Sequence, residues 1–252
     1  MRLVKVGNHE EMSAFAARHI LKKVHSNPKV SLGLATGGTP VRTYEMLIDD
    51  YNVNHTSYKN VFTYNLDEYA GIASRNQNSY YQFMFTHLFN HIDIPKEHVN
   101  IPDGLAEDLE EEAKRYESMI DAIGGVDLQI LGIGENGHIG FNEPGTPFKK
   151  TTHIVELTQS TRNANARFFE HENEVPTHAI TMGIATILKS KEILLLASGV
   201  KKAEAIYQMF AGSISSDCPA SALRNHPNVI VVADQEATAR LEGMKSAISA
   251  NR

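Results

Sequence analysis

The stretch VSLGLATGGTP, Val30 to Pro40, sets an apolar run, a pair of glycines and a proline in the order strand, loop, helix start. Val30 to Ala35 is too short for a helix and lacks the alternation of a half-exposed strand, so it reads as a strand buried on both faces. Pro40 suits a first helical turn, where a missing N–H costs nothing. The same order recurs. Val61 to Tyr64 precedes Asn65-Leu66-Asp67-Glu68-Tyr69, Leu128 to Ile133 precedes Gly134-Glu135-Asn136-Gly137-His138, and Ile193 to Ala197 precedes Ser198-Gly199-Val200-Lys201-Lys202. Arg2 to Val6 and Val229 to Val232 add further strands. Between them, helical spacing runs through Met12, Phe15, Ala16, Ile20 and Val24, through Tyr44 to Ile48, and through Tyr81, Phe85, Leu88 and Phe89 behind the caps Asn78 and Ser79. Residues 107–123, 202–210 and 235–244 continue the alternation. The pattern predicts an α/β fold: one domain over residues 1–252, with an open, mostly parallel twisted sheet and helices on both faces. Ligands of such sheets bind outside the carboxyl ends of the strands, where all four polar segments fall.

Composition narrows the function classes. A chain of 252 residues with 42% hydrophobic content can bury a large core. Its net charge of −6, without a basic run longer than two residues, argues against a nucleic-acid partner. Cys218 is the single cysteine, so no internal disulfide and no cysteine-based metal site is expected. With no charged-then-apolar leader at Met1 and no apolar run near the roughly 20 residues that span a bilayer, a cytoplasmic protein without a membrane partner is expected.

In Thr36-Gly37-Gly38-Thr39, adjacent glycines let backbone N–H groups approach an anion at a helix N-terminus, and the threonine hydroxyls can add hydrogen bonds. The same four residues would also serve a plain tight turn. Lys201, Lys202 and Arg167 favour the phosphate cradle if they reach the same edge. The spacing of a nucleotide-binding P-loop is absent, which points to a sugar phosphate. Asp67 and Glu68 follow a strand and must point in opposite directions, so one should face the pocket, where a partly desolvated carboxylate can take a carbon-bound proton next to a carbonyl. The other role open to a carboxylate there is to hold a helix N-terminus.

Gly132-Ile133-Gly134-Glu135-Asn136-Gly137 matches G-x-G-x-x-G, but Gly140, Pro144, Gly145 and Pro147 forbid the helix that a dinucleotide site needs at the third glycine. What remains is a loop holding Asn136, His138, Asn142 and Glu143, in which an imidazole oriented by a carboxylate could shuttle protons to open a sugar ring. His87 and His91 stand four apart on a helix but have no third ligand in view, and the acidic run Glu107 to Glu112 reads as a solvated helix face. No metal and no other cofactor is expected.

Leu34 to Pro40, Asn65 to Tyr69, Gly137 to Pro144 and Arg162-Asn163-Ala164-Asn165-Ala166-Arg167-Phe168-Phe169 together resemble the hallmark segments of the glucosamine-6-phosphate deaminases, within the glucosamine/galactosamine-6-phosphate isomerase family. The resemblance spans nearly the whole chain, and the Asp67 segment followed by His138 to Pro144 is its most specific part. It implies a Rossmann-like domain of the sugar-phosphate isomerase type and a metal-free conversion of glucosamine 6-phosphate with water to fructose 6-phosphate and ammonia, in amino-sugar catabolism. By the same resemblance, Asp67 moves the C2 proton to form an enolamine, His138 opens the pyranose ring, and Glu143 orients that histidine. Thr36, Gly37, Gly38, Thr39, Arg167 and Lys202 would bind the substrate's phosphate end, with Lys201 the weaker of the two lysines. Asn136 stands where one branch of the family has an aspartate, so the negative charge beside the histidine falls to Glu143 alone.

In the allosterically activated branch of the family, basic side chains after the catalytic loop bind an activator phosphate, and the matching positions here are His153 and Val155. Weak or absent activation by N-acetylglucosamine 6-phosphate is therefore expected. Monomer and homo-oligomer both stay open. Two other functions fit parts of the pattern. Hydrolysis of a sugar-phosphate lactone would use the glycines and Asp67 but leave the His138 to Glu143 loop unexplained, and a sugar-phosphate sensor would need a DNA-binding module for which the chain has neither room nor charge.

Overall fold

A computed structural model of the chain describes residues 1–159, 161, 162, 166, 169, 171 and 174–241. Seven strands form the main sheet: β1 (Arg2–Val6), β2 (Ser31–Leu34), β3 (Phe62–Asn65), β5 (Val99–Asn100), β6 (Leu128–Leu131), β9 (Ile193–Ala197) and β10 (Val229–Asp234). Their order is β1-β10-β9-β6-β2-β3-β5, and every neighbouring pair is parallel. β9 shows why its sequence is apolar without alternation. Ile193, Leu195 and Ala197 enter the core on one face while Leu194 and Leu196 enter the core on the other.

Helices α1 (His9–Ser26), α2 (Gly38–Asn54) and α3 (Tyr80–His87) cover one face, contributing Met12, Ile20, Tyr44, Leu47, Met84 and Phe85. Helices α4 (Leu109–Ala122) and α6 (Ala203–Ala211) cover the other, with Tyr116, Ile120, Ile206 and Met209. A short helix, α5 (Ile184–Leu188), packs Ile187 beside them. Caps define the starts. Asn8 accepts from Glu11 N ahead of α1, Ser79 from Gln82 N ahead of α3, and Asp108 from Glu110 N and Glu111 N ahead of α4. Most of the acidic run is exposed, as its sequence suggests. Glu112 departs from it: buried, it accepts from Asp103 N at 2.8 Å and pairs with Arg115.

A second, three-stranded antiparallel sheet, β4 (Asp67–Tyr69), β8 (His178–Thr181) and β7 (His153–Glu156), was not legible from the sequence. Leu66 is the junction: its N–H bonds to Leu34 O in the main sheet while its carbonyl accepts from Met182 N beside β8. Asp67 thus opens a strand rather than a loop, and its side chain is fixed by pairing opposite Thr181. His87 packs at a tilt against Phe83, ring centroids 4.4 Å apart, and His91 bonds to Thr86 O, which gives each histidine a structural contact. Among the described residues no helix is long and apolar enough to cross a membrane.

Candidate active site

The strand order β9-β6-β2-β3 places the loops after these strands in consecutive positions along one edge. β2 and β6 flank the point where the chain, having run outward through β3 and β5, returns to the other side of β2; this is the switch-point crevice of an open sheet.

After β2 the chain passes through Gly37, whose φ of +87° is left-handed and needs glycine, and turns into α2. No side chain caps this helix, and its first turn has no acidic residue. A Cβ at Gly37 or Gly38 would meet nothing within 4 Å, so the free N–H groups of the first turn face open space. That combination favours an anion. The buried Tyr44 hydroxyl donates to Ala35 O at 2.6 Å and fixes the loop from beneath, and the Tyr80 phenol lies near the Thr36 side chain.

Lys202 arrives from β9 through Gly199, φ +92°, and a single helical turn, Val200–Lys202. Asp234, at the end of β10, ties that loop down by accepting from Ser198 Oγ at 2.5 Å and from Gly199 N at 3.1 Å. Burial lowers the proton affinity of Lys202, and the neighbouring Lys201 acts in the same direction. Lys201 is exposed and lies 3.6 Å from Glu135, so of the two lysines Lys202 is the one held partly desolvated at the edge. Arg167 lies outside the described residues.

The loop after β6 carries the titratable pair. Gly137 N bonds to Gly134 O and Gly134 N to His138 O, a tight turn with Gly137 at φ +86° and no helix behind it through residue 150. The dinucleotide reading fails on that geometry. The His138 ring lies against Gly134, where a Cβ would come within 2.3 to 2.5 Å of its ring atoms. Nδ1 of His138 is 3.4 Å from Glu143 Oε1, an ion-pair distance longer than a good hydrogen bond. Glu143 is otherwise saturated: Asn136 Nδ2 donates to Oε2 at 2.7 Å and Thr161 Oγ1 to Oε1 at 2.6 Å. Burial pushes this carboxyl up, but His138, Thr161 and Asn136 outweigh it and hold it at about 2. Asn136 also accepts from His138 N at 3.2 Å, so it braces the turn and the carboxylate together. Asn142 does not face the pocket. Fully buried, it donates to Ile139 O and Met182 O and stitches the loop to β8.

Asp67 is 6% exposed. The His138 loop passes it at Gly140, φ +58°, where a Cβ would sit 3.6 Å from Asp67 Oδ2 and 3.0 Å from Thr181 Oγ1. Thr181 Oγ1 accepts from Phe141 N, which pins the loop to the strand opposite Asp67. Around the carboxylate the wall is aromatic. Tyr80 stacks with Phe141 at 6.1 Å, Tyr69 lies 4.7 Å from Tyr80, and Phe169 meets the Tyr69 ring edge-on at 6.0 Å. Burial pushes the Asp67 carboxyl up to about 8, and the Glu68 charge pushes the same way.

The chain matches the family model described as "Glucosamine-6-phosphate isomerases/6-phosphogluconolactonase" over residues 7–232. This chain belongs to that family. Among its relatives, a glucosamine-6-phosphate deaminase of Geobacillus sp. (strain WCH70) is 55% identical over 237 residues, 94% of either chain. One of Halalkalibacterium halodurans is 51% identical over 251 residues, 100% of both. A solved structure of a monomeric glucosamine-6-phosphate deaminase superposes with a TM-score of 0.93 at 50% identity, covering 95% of this chain and 99% of that one. The 6-phosphogluconolactonase of Trypanosoma brucei, at 20% identity and a TM-score of 0.78 over 95% of this chain and 98% of its own, shares the fold alone.

Sequence reasoning placed Asp67, Asn136, His138 and Glu143 on one strand edge, and the structure brings the loop residues together with Asp67 alongside. It missed Thr161, Thr181 and Gly140, which position those groups, and Asp234, which anchors the lysine loop. Thr161 stood one residue before the Arg162 segment, and Asp234 ended an apolar run as Asp67 nearly does; both signals were present but unspecific.

Proposed function

We propose that the protein converts glucosamine 6-phosphate and water to fructose 6-phosphate and ammonia without a metal or other cofactor, as one domain over residues 1–252. The observation that carries this reading is the contact at Gly140, which sets a dry carboxylate, Asp67, against a loop whose histidine is paired to an ionised glutamate. Enolisation needs the first, and ring opening needs the second.

The phosphate docks on the N–H groups that open α2, with Thr39, Lys202 and, from the resemblance, Arg167 completing the charge balance. With Nδ1 turned to Glu143, His138 uses Nε2 to take the proton of the anomeric hydroxyl and return it to the ring oxygen, giving the open aldose. Asp67 then removes the C2 proton. In the free protein this carboxyl holds a proton near neutrality, and the substrate's C2 ammonium, entering the same dry wall, favours its ionised form. The electron pair moves to C1–C2 as O1 takes the proton that the C2 ammonium gives up, and the resulting enolamine takes the proton held by Asp67 at C1 to become an iminium at C2. Water adds there and ammonia leaves, which balances the reaction. His153 and Val155, both half-buried in β7, present no cationic pair for an activator phosphate; a hyperbolic rate curve unaffected by N-acetylglucosamine 6-phosphate is expected.

Purified protein incubated with glucosamine 6-phosphate, a chelator and no nicotinamide should release ammonia and fructose 6-phosphate in equal amounts. Binding of the sugar phosphate without turnover would replace this reading with a sensor, and turnover of a lactone alone would replace it with a hydrolase.

A further inference from the structure

Glu68 is 3% exposed, and both its oxygens are occupied. Oε1 accepts from Tyr69 N at 2.8 Å and Tyr80 N at 2.9 Å, and Oε2 accepts from Tyr81 N at 2.8 Å. Tyr80 and Tyr81 are the first residues of α3, whose cap Ser79 serves only Gln82 N. A carboxylate there satisfies donors that the helix leaves open and lies favourably against its dipole. Glu68 therefore clamps β4 to α3.

The clamp reaches both ends of the site. On β4 its immediate neighbour is Asp67; on α3 it fixes Tyr80, whose ring lies 4.7 Å from that of Tyr69 and whose phenol lies near Thr36 of the phosphate loop. A helix-capping glutamate in a neutral setting would be structural only. Here the titratable groups facing the pair are acids and phenols: Asp103 faces Glu68, Tyr80 and Tyr116 face Asp67 from α3 and α4, and Tyr69 on β4 faces both. No described cation pairs with either carboxylate.

Resting on the reading of Asp67 as the C2 base, we propose that Glu68 is a positioning residue for the reaction: by accepting from Tyr69 N, Tyr80 N and Tyr81 N it anchors β4 to α3, aims the neighbouring Asp67, and sets a second buried carboxyl beside that base. The charge has a physical reason to form there. Burial pushes both carboxyls up, but three backbone N–H groups, of Tyr80, Tyr81 and Tyr69, point at Glu68 and pull it down, whereas the Glu68 charge pushes Asp67 further up.

The test is the pH profile of kcat/KM for the unmodified protein, Glu68→Gln and Glu68→Asp; substrate ionisations are common to all three and cancel. Glu68→Gln should move the acidic limb to lower pH by about one unit, because the like charge beside Asp67 is gone. It should also lower kcat about 100-fold, because its amide sets a donor against Tyr81 N–H and displaces the clamp. Glu68→Asp keeps the charge and shortens the reach, so kcat falls with the limb in place. A limb that stays put in Glu68→Gln overturns the proposal and leaves a helix cap. Should that variant not fold, Glu68→Asp carries the test: kcat should fall with KM and the acidic limb nearly unchanged, and an unchanged kcat, or a limb that moves with it, overturns the proposal. Turnover by Asp67→Asn would refute Asp67 as the base, a separate failure from an unmoved limb.

Discussion

The wall around Asp67 and the loop from Asn136 to Glu143 hold carboxylates in opposite states within one site. Asp67 is buried among Tyr69, Tyr80 and Phe141 with another acid beside it, and its proton is held up to about 8. Glu143 is half-buried but accepts from Asn136 and Thr161 and faces His138, which hold it at about 2. Burial opposes charge at both; the partners decide the sign. The difference assigns the work: a group that must exchange a carbon-bound proton sits on the dry side, and a group that must stay charged to steer an imidazole sits on the polar side.

The comparison breaks first at Asp67. Asp67→Asn should cut kcat about 10²–10⁴-fold with substrate binding nearly unchanged, measured by initial rates and calorimetry. On the polar side Glu143→Gln removes the charge and sets an amide donor against Asn136 Nδ2 or Thr161 Oγ1, and kcat should fall about 100-fold. Gly134→Ala drives a methyl into the His138 ring and should act like a mild version of that change, read as a smaller loss of kcat with unaltered phosphate affinity. Outside both regions, Lys202→Ala should raise KM about tenfold and leave kcat within a small factor, and inorganic phosphate should weaken as an inhibitor in parallel.

The smallest effect is in stability, and its sign differs between the two sides. The Asp67 carboxyl is raised from about 4 in the unfolded chain, so the folded state loses stability as pH climbs from there towards about 8. Glu143 is depressed, so its contribution is full above about 4 and is lost as pH falls towards about 2. Thermal melts of Asp67→Asn should show a gain on the order of 5 °C at pH 8 and none at pH 4. A gain at both values would mean that burial of the charge is not its source.

How much of this was legible in the sequence follows from the physics of each part. Where strands are buried on both faces, as β9 is, unbroken apolar runs announced them, and β1 and β9 fall at the residues expected; the two-residue edge strand β5 was not legible. Nor were β4, β7 and β8, because their segments Asp67–Tyr69, His153–Glu156 and His178–Thr181 carry polar residues in place of an unbroken apolar run, and Asp67 itself belongs to one of them. The anion loop was visible through Gly37 and Gly38, whose chemistry is local. Glu68 as a helix clamp was one of two roles open to that position, and choosing between them needed the distance from β4 to α3, which no local pattern encodes. Asn142 looked like a pocket residue by company and proved to be a structural tie, because neighbours along the chain do not share a direction.

The dry side of the site should hold on to the proton it removes, and that is the most direct point of attack. Glucosamine 6-phosphate carrying deuterium at C2 should give fructose 6-phosphate with part of the label at C1, since a single buried carboxyl returns the hydron before water reaches it. Product carrying only solvent hydrogen at C1, formed as fast by Asp67→Asn as by the unmodified protein, would contradict the account.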